Sequence, residues 1–185
     1  NAIGHEAINY VAAKGFEIFL DLKLHDIPNT VEKSIQGLIS LPICMMTIHT
    51  SGGLEMMKVA KKAVQGTDIK IFGVTALTSL SDKDTSTIFK RTASEHVKAM
   101  LDLAQEAQID GVVCSPHELE IVVERKSLLS ITPGIRFSKS ADDQNRVMSP
   151  KDAILKGANY IVVGRPITNA PNISLALQEI YNSIE

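Results

Sequence analysis

The chain has 185 residues and a formal net charge of −2, which is enough length for one domain with a substantial core. So small a net charge gives no global attraction to nucleic acid or to an anionic membrane, and no apolar run approaches the ~20 residues of a membrane span. The N-terminal segment lacks the basic start and apolar centre of a signal peptide. We therefore expect a cytoplasmic globular protein in which Cys44 and Cys114 are buried, reduced thiols, with a disulfide as the less favoured alternative.

Short apolar runs alternate with longer amphipathic stretches along the chain. The short runs are rich in Ile, Val and Leu and end in turn or polar residues, which predicts strands. The stretches between them carry apolar residues at helical spacing and predict helices. In chain order, the predicted strands cover residues 18–23, 45–50, 70–76, 111–114, 129–132 and 160–163.

Local signals mark the ends of several predicted helices. Thr92 with Glu95, and Ser115 with Glu118, have the spacing of capping boxes, in which each side chain satisfies a free backbone N–H group. Ser149, followed by proline, opens another helix. Glycines stand where three helices should stop, because glycine readily adopts the left-handed conformation found there: Gly15, Gly66 and Gly157.

This alternation predicts an α/β fold with a parallel sheet and helical crossovers. An open doubly wound sheet and a closed eight-stranded barrel both fit. The Gly-rich fingerprint of the open sheet is missing after the first strand, so we favour the (β/α)8 TIM barrel. Only six strands are predicted, and the chain opens without Met in what resembles the middle of a helix. We therefore expect residues 1–185 to form a single barrel domain that is N-terminally incomplete, with its first two strands absent.

The most informative segment is the first predicted strand with the loop after it. Asp21 and Lys23 share one face, which in a barrel points into the lumen, and Asp26 follows just beyond the strand. Active sites of barrels lie at this C-terminal end of the strands. A structural ion pair is the alternative, but buried charge clusters are poor sources of stability and are typical of functional sites. Between two carboxylates, Lys23 should stay protonated and act as a proton donor rather than as a Schiff-base nucleophile.

Two later strands are each followed by a glycine and an arginine. Gly134 and Arg136 come after the fifth predicted strand, and Gly164 and Arg165 come after the sixth. Glycine lets backbone N–H groups approach an anion closely, and arginine binds phosphate through two hydrogen bonds. In a barrel without its first two strands these are loops seven and eight, the usual phosphate site of the fold. The pattern predicts a phosphorylated substrate, although either pair alone could be an ordinary surface arginine.

Other polar residues are less specific. Thr78, after the third predicted strand, could hydrogen-bond a substrate ring or simply cap a turn. His49 lies near the predicted barrel mouth without an assigned role, and His25 should point away from the lumen. No Cys/His cluster has metal-ligand spacing, so no metal site is predicted. The remaining histidines fall on predicted helices, and we interpret them as solvated: His5, His96 and His117.

Together these motifs resemble the orotidine 5′-monophosphate decarboxylase family, whose members catalyse the last step of UMP synthesis. The most specific part is residues 21–30, DLKLHDIPNT, which is similar to the family signature D-x-K-x-x-D-I-P-N-T. Residues 77–79, 132–136, 143–144 and 164–166 continue the resemblance in the same order. The match covers nearly the whole chain. It implies an enzyme that converts orotidine 5′-monophosphate (OMP) to UMP and CO2 without metal or cofactor.

The resemblance also implies roles for the residues of the signature. Lys23 would be the acid that protonates the C6 carbanion left when CO2 departs, and Asp21 would lie beside the scissile carboxylate. Three residues would reach into the active site of the neighbouring subunit: Asp26, Ile27 and Thr30. The expected assembly is therefore a homodimer with shared active sites.

The later motifs would hold the rest of the substrate. Thr78 would contact the pyrimidine, and Pro133 would lie near the leaving group. The segment 136–146 would act as a closing loop. The phosphate would be held by four residues: Arg136, Gln144, Gly164 and Arg165.

Two catalytic residues of the family are missing from this sequence, and two alternative classes of function remain open. The family also uses an aspartate from its first strand and a lysine from its second, and neither is in this sequence. The nearest rivals are ketogulonate-phosphate decarboxylase and hexulose-phosphate synthase, which share the D-x-K-x-x-D core but use Mg²⁺. The extension at residues 27–30 and the segment 132–136 argue against them. A barrel that binds phosphorylated ligands without catalysis is the rival of another class.

Overall fold

The computed structural model describes residues 4–137 and 147–185. Helices and strands alternate along this part of the chain. The strands are β1 (Phe19–Leu24), β2 (Met45–His49), β3 (Lys70–Val74), β4 (Gly111–Val113), β5 (Leu129–Thr132) and β6 (Tyr160–Ile161). The helices are α1 (His5–Ala12), α2 (Pro28–Gln36), α3 (Leu54–Ala63), α4 (Asp82–Phe89), α5 (Ala93–Glu106), α6 (Leu119–Val123), α7 (Pro150–Leu155), α8 (Arg165–Thr168) and α9 (Ile173–Ile184).

The strands form one parallel sheet in the order β1-β2-β3-β4-β5-β6. Each strand therefore pairs with the one before it in sequence, as in a barrel, whereas a doubly wound sheet reverses its order at a switch point. The predicted α/β class, the parallel sheet and the barrel-type arrangement are confirmed. The predicted strand positions are correct to within two residues at either end. The six described strands make up part of a barrel, and the two additional strands expected from the sequence stay a prediction.

The main core lies between the sheet and its outer helices. Met46 and Ile48 of β2 and Ile71 of β3 are fully buried there. Their helical partners are also buried: Val31 and Ile35 of α2, Met56, Met57 and Ala60 of α3, and Val97, Leu101 and Ala104 of α5. Burying side chains of this size contributes about 1.5–3 kcal/mol each, so this layer supplies most of the apolar stabilisation of the described fold.

The opposite face of the sheet is the inner face of the barrel. Because paired residues of parallel strands point to the same side, Thr47, Phe72 and Gly111 form one row across β2, β3 and β4. The Phe72 ring is fully buried and meets the ring of Tyr160 edge to face, with centroids 6.1 Å apart. A side chain at Gly111 would collide with the Phe72 ring and with the Leu129 carbonyl. Glycine at this position therefore makes room for the largest side chain of the inner row.

The predicted helix boundaries are confirmed. Both capping boxes are present, although the one at Ser115 opens a short 3-10 turn, Pro116–Glu118, ahead of α6. The Ser149 hydroxyl accepts a hydrogen bond at the start of α7. A third capping box, Ser81 with Asp84, starts an additional helix, α4, that the sequence analysis did not predict. The three glycines expected at helix ends have φ values of 83° to 92°.

The expectation of two buried, reduced cysteines is confirmed in part. Cys44 and Cys114 are both free thiols, but only Cys114 is fully buried, and Cys44 is half-buried at the start of β2. Burial raises the pKa of Cys114 to about 12, so its thiol is inert at neutral pH.

Within residues 4–137 and 147–185, none of the helices has the length and apolar character needed to cross a bilayer.

His96 is buried, and its interpretation as a solvated helix residue is wrong. Its ring stacks on Phe89 with centroids 3.9 Å apart, so it joins α5 to the end of α4. Its Nε2 atom is buried and has no hydrogen-bond partner in the described part of the structure. Burial lowers the pKa of His96, a hydrogen bond with the Thr75 backbone opposes this shift, and the nearby Arg91 reinforces it. The unpredicted helix α4 is what covers this ring.

Acidification is expected to destabilise the fold through His96. Because its pKa is lower in the folded than in the unfolded protein, the unfolded chain binds protons more readily below the ordinary histidine pKa of about 6.5. The stability is therefore complete above about pH 6.5 and is lost as the pH falls through the folded pKa. In urea melts at a series of pH values, His96→Phe should lose less stability on acidification than the unmodified protein.

The exposed His117 provides a control, as His117→Gln removes a histidine without disturbing the stack. His49, whose pKa is also lowered, will keep part of the pH dependence in the His96 variant. If the free energy of unfolding falls equally on acidification in the unmodified protein and in His96→Phe, another group destabilises the protein at low pH.

Candidate active site

The first strand departs from regular geometry where its charged residues lie. Its pairing with β2 shifts register between Leu20 and Leu24, and Lys23 has a φ of 53°, in the left-handed region. Such a conformation is unusual for a residue with a long side chain and is a form of local strain that clusters at functional sites. The simple alternation used in the sequence analysis therefore holds as far as Asp21 but fails after Leu22.

Asp21 and Lys23 form an ion pair, as predicted. The Nζ atom of Lys23 lies 2.5 Å from Oδ2 of Asp21. The expectation that the pair is buried is wrong, because the two side chains are 38% and 43% exposed. In the described sheet β1 pairs only with β2, so the inner face beside it is open on one side. A pair this exposed typically contributes less than about 1 kcal/mol, so stability does not explain its presence.

Thr47 connects the ion pair to the neighbouring strand, and the sequence analysis missed it. It is fully buried on the inner face of β2. Its hydroxyl donates a hydrogen bond to Oδ1 of Asp21 at 2.8 Å and accepts one from the backbone N–H of Lys23 at 2.9 Å. The available signal was a lone hydroxyl within an apolar strand, on the same face as His49.

The histidines near the pair are close to each other. The rings of His25 and His49 lie 5.1 Å apart between centroids. The exposed His25 ring therefore lies beside the end of β2, where it also comes close to Gly52, and its expected direction away from the lumen stays a prediction. Burial is the main cause that lowers the pKa of His49, and the charges of His25 and Lys23 lower it further.

The signature residues after β1 form an exposed rim. Asp26 turns its carboxylate to the backbone N–H of Ile27, which donates to Oδ1 at 2.7 Å. Ile27 precedes helix α2 and is 66% exposed, and Thr30 is exposed in the first turn. Both Lys23 and Asp26 are described, and no ion pair joins them within this chain. Within this chain, Lys23 thus pairs with Asp21 and not with Asp26, so half of the expected arrangement is present.

The loop after β5 carries Pro133 and Arg136. Gly134 has a φ of 83°, which turns the chain so that Ile135 is buried and bridges to Met148. The backbone N–H of Arg136 donates a hydrogen bond to the Met148 carbonyl at 2.9 Å. This bond joins the two residues that stand on either side of the segment 137–147. Its side chain borders a cavity of about 510 Å³. Gln144, together with Asp143 and Arg146, lies outside the described residues.

The loop after β6 begins beside the loop after β5. The backbone N–H of Val162 donates to the Thr132 carbonyl at 2.9 Å, which holds the two strand ends together. Gly164 follows, and among residues 4–137 and 147–185, its chain neighbours aside, no atom lies within 4 Å of the place that a side chain would occupy there. Arg165 then starts α8. The structure therefore puts both glycine–arginine pairs at one edge of the sheet, with open space at Gly164.

Thr78 lies at the same edge, after β3. It is half-buried in a turn that the Leu80 N–H closes by donating to the Leu77 carbonyl at 3.0 Å. The ends of β1, β3, β5 and β6 thus all present predicted site residues at the C-terminal edge of the sheet, and Asp21 and Lys23 form a direct ion pair there. Among the described residues, no group of three or more His, Cys, Asp or Glu side chains is arranged to hold a metal ion.

Comparisons with known proteins identify the family of the chain. Residues 1–180 match the family described as "Orotidine 5'-phosphate decarboxylase / HUMPS family". The chain is 46% identical over 187 residues to an orotidine 5'-phosphate decarboxylase of Ehrlichia chaffeensis, covering 99% of this chain and 81% of the relative. It is 44% identical over 186 residues to an enzyme of the same name from Saccharophagus degradans, covering 96% and 77%.

Solved structures give the same result. An orotidine 5'-phosphate decarboxylase of Lactobacillus acidophilus superimposes with a TM-score of 0.84 at 36% identity, covering 98% of this chain and 81% of the other. The enzyme of Methanocaldococcus jannaschii, complexed with the inhibitor BMP, has the same fold with a TM-score of 0.78 at 20% identity, covering 98% and 80%. The chain belongs to the orotidine 5'-phosphate decarboxylase / HUMPS family.

Proposed function

We propose that this protein is an orotidine 5'-phosphate decarboxylase, a carboxy-lyase that converts OMP to UMP and CO2. The observation that carries the proposal is the Lys23–Asp21 pair at the C-terminal edge of a barrel-type sheet. Family membership and the names of the relatives support it. The relatives that carry the decarboxylase name are more than 40% identical to this chain over most of their length.

In this proposal Lys23 is the catalytic acid. Loss of CO2 leaves an electron pair on C6 of the pyrimidine, and no electron sink is available in the ring to spread it. An ammonium group held near C6 stabilises this charge as it develops in the transition state and then transfers its proton to the carbon. Lys23 has an ammonium group on the inner face, where such a ring could bind.

Asp21 has two proposed roles beside Lys23. It holds the ammonium in place through the 2.5 Å contact, and it lies near the carboxylate that leaves. Repulsion between the two carboxylates would disfavour the bound substrate relative to the transition state, where the charge has moved to the ring. Thr78 is proposed to hydrogen-bond the pyrimidine, and Pro133 to lie near the leaving CO2.

The phosphate is the proposed anchor of the substrate. Its residues come from the neighbouring loops after β5 and β6 and from the segment between them: Arg136, Gln144, Gly164 and Arg165. The open space at Gly164 supports close approach of an anion to the backbone. Binding energy from this remote group can close the segment 136–146 over the substrate and offset the repulsion at the reacting carboxylate.

We further propose that the single barrel domain is completed to eight strands, with two more between β6 and β1, and that it works as a homodimer. The exposed rim formed by Asp26, Ile27 and Thr30 supports the dimer, because a 66% exposed isoleucine at a helix start is suited to contact with a partner. Asp26 would then supply the second carboxylate to Lys23 of the neighbouring subunit. The free thiols Cys44 and Cys114 support a reducing compartment such as the cytoplasm.

Mixing two inactive variants should restore activity if the active sites are shared. In a mixed dimer of Lys23→Ala and Asp26→Ala, one site carries both changes and the other carries neither. Random exchange of subunits gives half mixed dimers with one intact site each, so the mixture should reach roughly a quarter of the unmodified activity. Activity after denaturation and refolding of the mixture measures this, with each variant refolded alone as the control. No gain on mixing would contradict shared sites.

The second candidate is a Mg²⁺-dependent sugar-phosphate enzyme of the same family. The family description covers both branches, so membership alone does not distinguish them. The IPNT residues at positions 27–30 and the names of the relatives favour the decarboxylase.

An assay in EDTA distinguishes the two candidates. The purified protein should convert OMP to UMP, followed by the change in ultraviolet absorbance, at the same rate with EDTA as with added Mg²⁺. Turnover of a sugar phosphate that needs Mg²⁺, with none of OMP, would overturn the proposed function.

A further inference from the structure

We infer that Thr47 is a positioning residue that fixes the geometry of the Lys23–Asp21 pair, so that the proton donor is in place before the substrate binds. This inference rests on the proposed function of the pair. Among the described residues, the hydrogen bonds of the Thr47 side chain go to Asp21 and Lys23 alone, and the sequence motif that carries the chemistry does not include it. Its action would be exerted entirely through two residues of the neighbouring strand.

The hydroxyl of Thr47 is used in both directions. It donates to Oδ1 of Asp21 at 2.8 Å and accepts from the backbone N–H of Lys23 at 2.9 Å. A hydroxyl has a single hydrogen, so these two contacts together determine its orientation. Thr47 is fully buried, and its side chain has limited rotamer freedom because it is branched at Cβ. Both residues of the pair are therefore hydrogen-bonded to a side chain of β2 that has little freedom to move.

The same contacts explain how Asp21 is oriented. Its Oδ1 atom is held by Thr47 and its Oδ2 atom by the Lys23 ammonium. With one partner on each oxygen, the plane of the carboxylate cannot rotate without losing a hydrogen bond. Because the pair is partly exposed, water would otherwise compete for both oxygens.

Thr47 also explains the unusual backbone of Lys23. At the register shift in β1 the N–H of Lys23 is bonded to a side chain instead of the main chain of β2, and the Thr47 hydroxyl is its acceptor. The φ of 53° is strained for lysine and persists only where surrounding contacts favour it. Without the hydroxyl, the backbone of Lys23 is free to relax toward ordinary strand geometry, which would redirect the ammonium.

The test compares Thr47→Val, which keeps the shape and removes the hydroxyl, with Thr47→Ser, which keeps the hydroxyl. In the intact polypeptide, Thr47→Val should lower kcat for OMP by about 10- to 100-fold, because misplacing a catalytic group by ~1 Å has an effect of this order. The KM should change by less than about 3-fold, because the phosphate anchor is remote. Thr47→Ser should recover kcat to within about 3-fold of the unmodified protein.

Thr50→Val is the matched control. Thr50 is also fully buried beside β2, and its hydroxyl donates to the Val74 carbonyl at 2.8 Å, away from the pair. This variant should lower the melting temperature while leaving kcat unchanged. Equal losses of kcat in Thr47→Val and Thr50→Val, or an unchanged kcat in Thr47→Val, would overturn the inference.

A crystal structure of Thr47→Val gives a readout that does not depend on turnover. The expected result is a rotated Asp21 carboxylate and a changed φ at Lys23. An ion pair and a φ that are the same as in the unmodified protein would overturn the inference, whatever reaction the protein catalyses. Absence of OMP turnover in the unmodified protein, by contrast, would count against the proposed function alone.

Discussion

Replacing Lys23 with alanine is expected to reduce kcat for decarboxylation by about 10⁴-fold or more. In the proposed mechanism, the variant loses both the positive charge that stabilises the developing carbanion and the proton that ends the reaction. Because the ion pair with Asp21 is 38–43% exposed, its loss should change the free energy of unfolding little. Initial rates of UMP formation, measured beside urea melts of the same samples, separate the two effects.

Lys58 on α3 offers a matched control. It forms an exposed ion pair with Glu55 and lies away from the inner face, so Lys58→Ala should retain the unmodified kcat. The affinity of the Lys23 variant for UMP should remain close to that of the unmodified protein, because the variant keeps the residues of the proposed phosphate anchor. A loss of less than about 10-fold in kcat would mean that another group supplies the proton.

Replacing Arg165 with alanine is expected to lower kcat/KM for OMP by about 10²-fold, mainly through KM. The side chain follows Gly164 at the open edge between the loops of β5 and β6, where a phosphate could be bound through two hydrogen bonds. Arg165→Lys keeps the charge but loses the planar guanidinium group, so its kcat/KM should lie between those of the unmodified protein and Arg165→Ala. Steady-state kinetics on the three proteins measure the series.

Orotidine, which lacks the phosphate, tests the cause of that loss. If Arg165 acts on the phosphate, the variant and the unmodified protein should turn over orotidine at the same low rate. Arg125, which follows α6, provides a control, since it is half-buried and pairs with the exposed Asp102 of α5 at 2.6 Å, and Arg125→Ala should behave normally toward OMP. An equal loss on OMP and orotidine for Arg165→Ala would assign the residue a structural role.

Much of the fold could be predicted because its signals are local. A capping box or a glycine with positive φ involves residues three or four positions apart, so Thr92, Ser115 and Gly66 marked helix ends correctly. Strand positions followed from short apolar runs bounded by polar residues. The extra helix α4 was missed because its apolar content is low, although Ser81 and Asp84 carried the same kind of signal.

The contact between Asp21 and Lys23 could be predicted from the sequence, but the local geometry around it could not. The signature identified Asp21 and Lys23, which do touch. Alternation along the strand could not anticipate the φ of 53° at Lys23, because that conformation depends on a hydroxyl from β2, more than twenty residues away. The burial of His96 depends on the stack with Phe89, which belongs to a helix that was not expected.

The order of the strands has a consequence for the substrate itself. Lys23 belongs to the first strand of the described sheet and Arg165 follows the sixth, so the proposed acid and the proposed anchor stand at opposite margins. One small molecule that contacts both residues would span the mouth of the barrel. Its length would then have to match the distance between the two margins. A mutation in any element that sets this distance could therefore slow the reaction without changing a residue that binds the ligand.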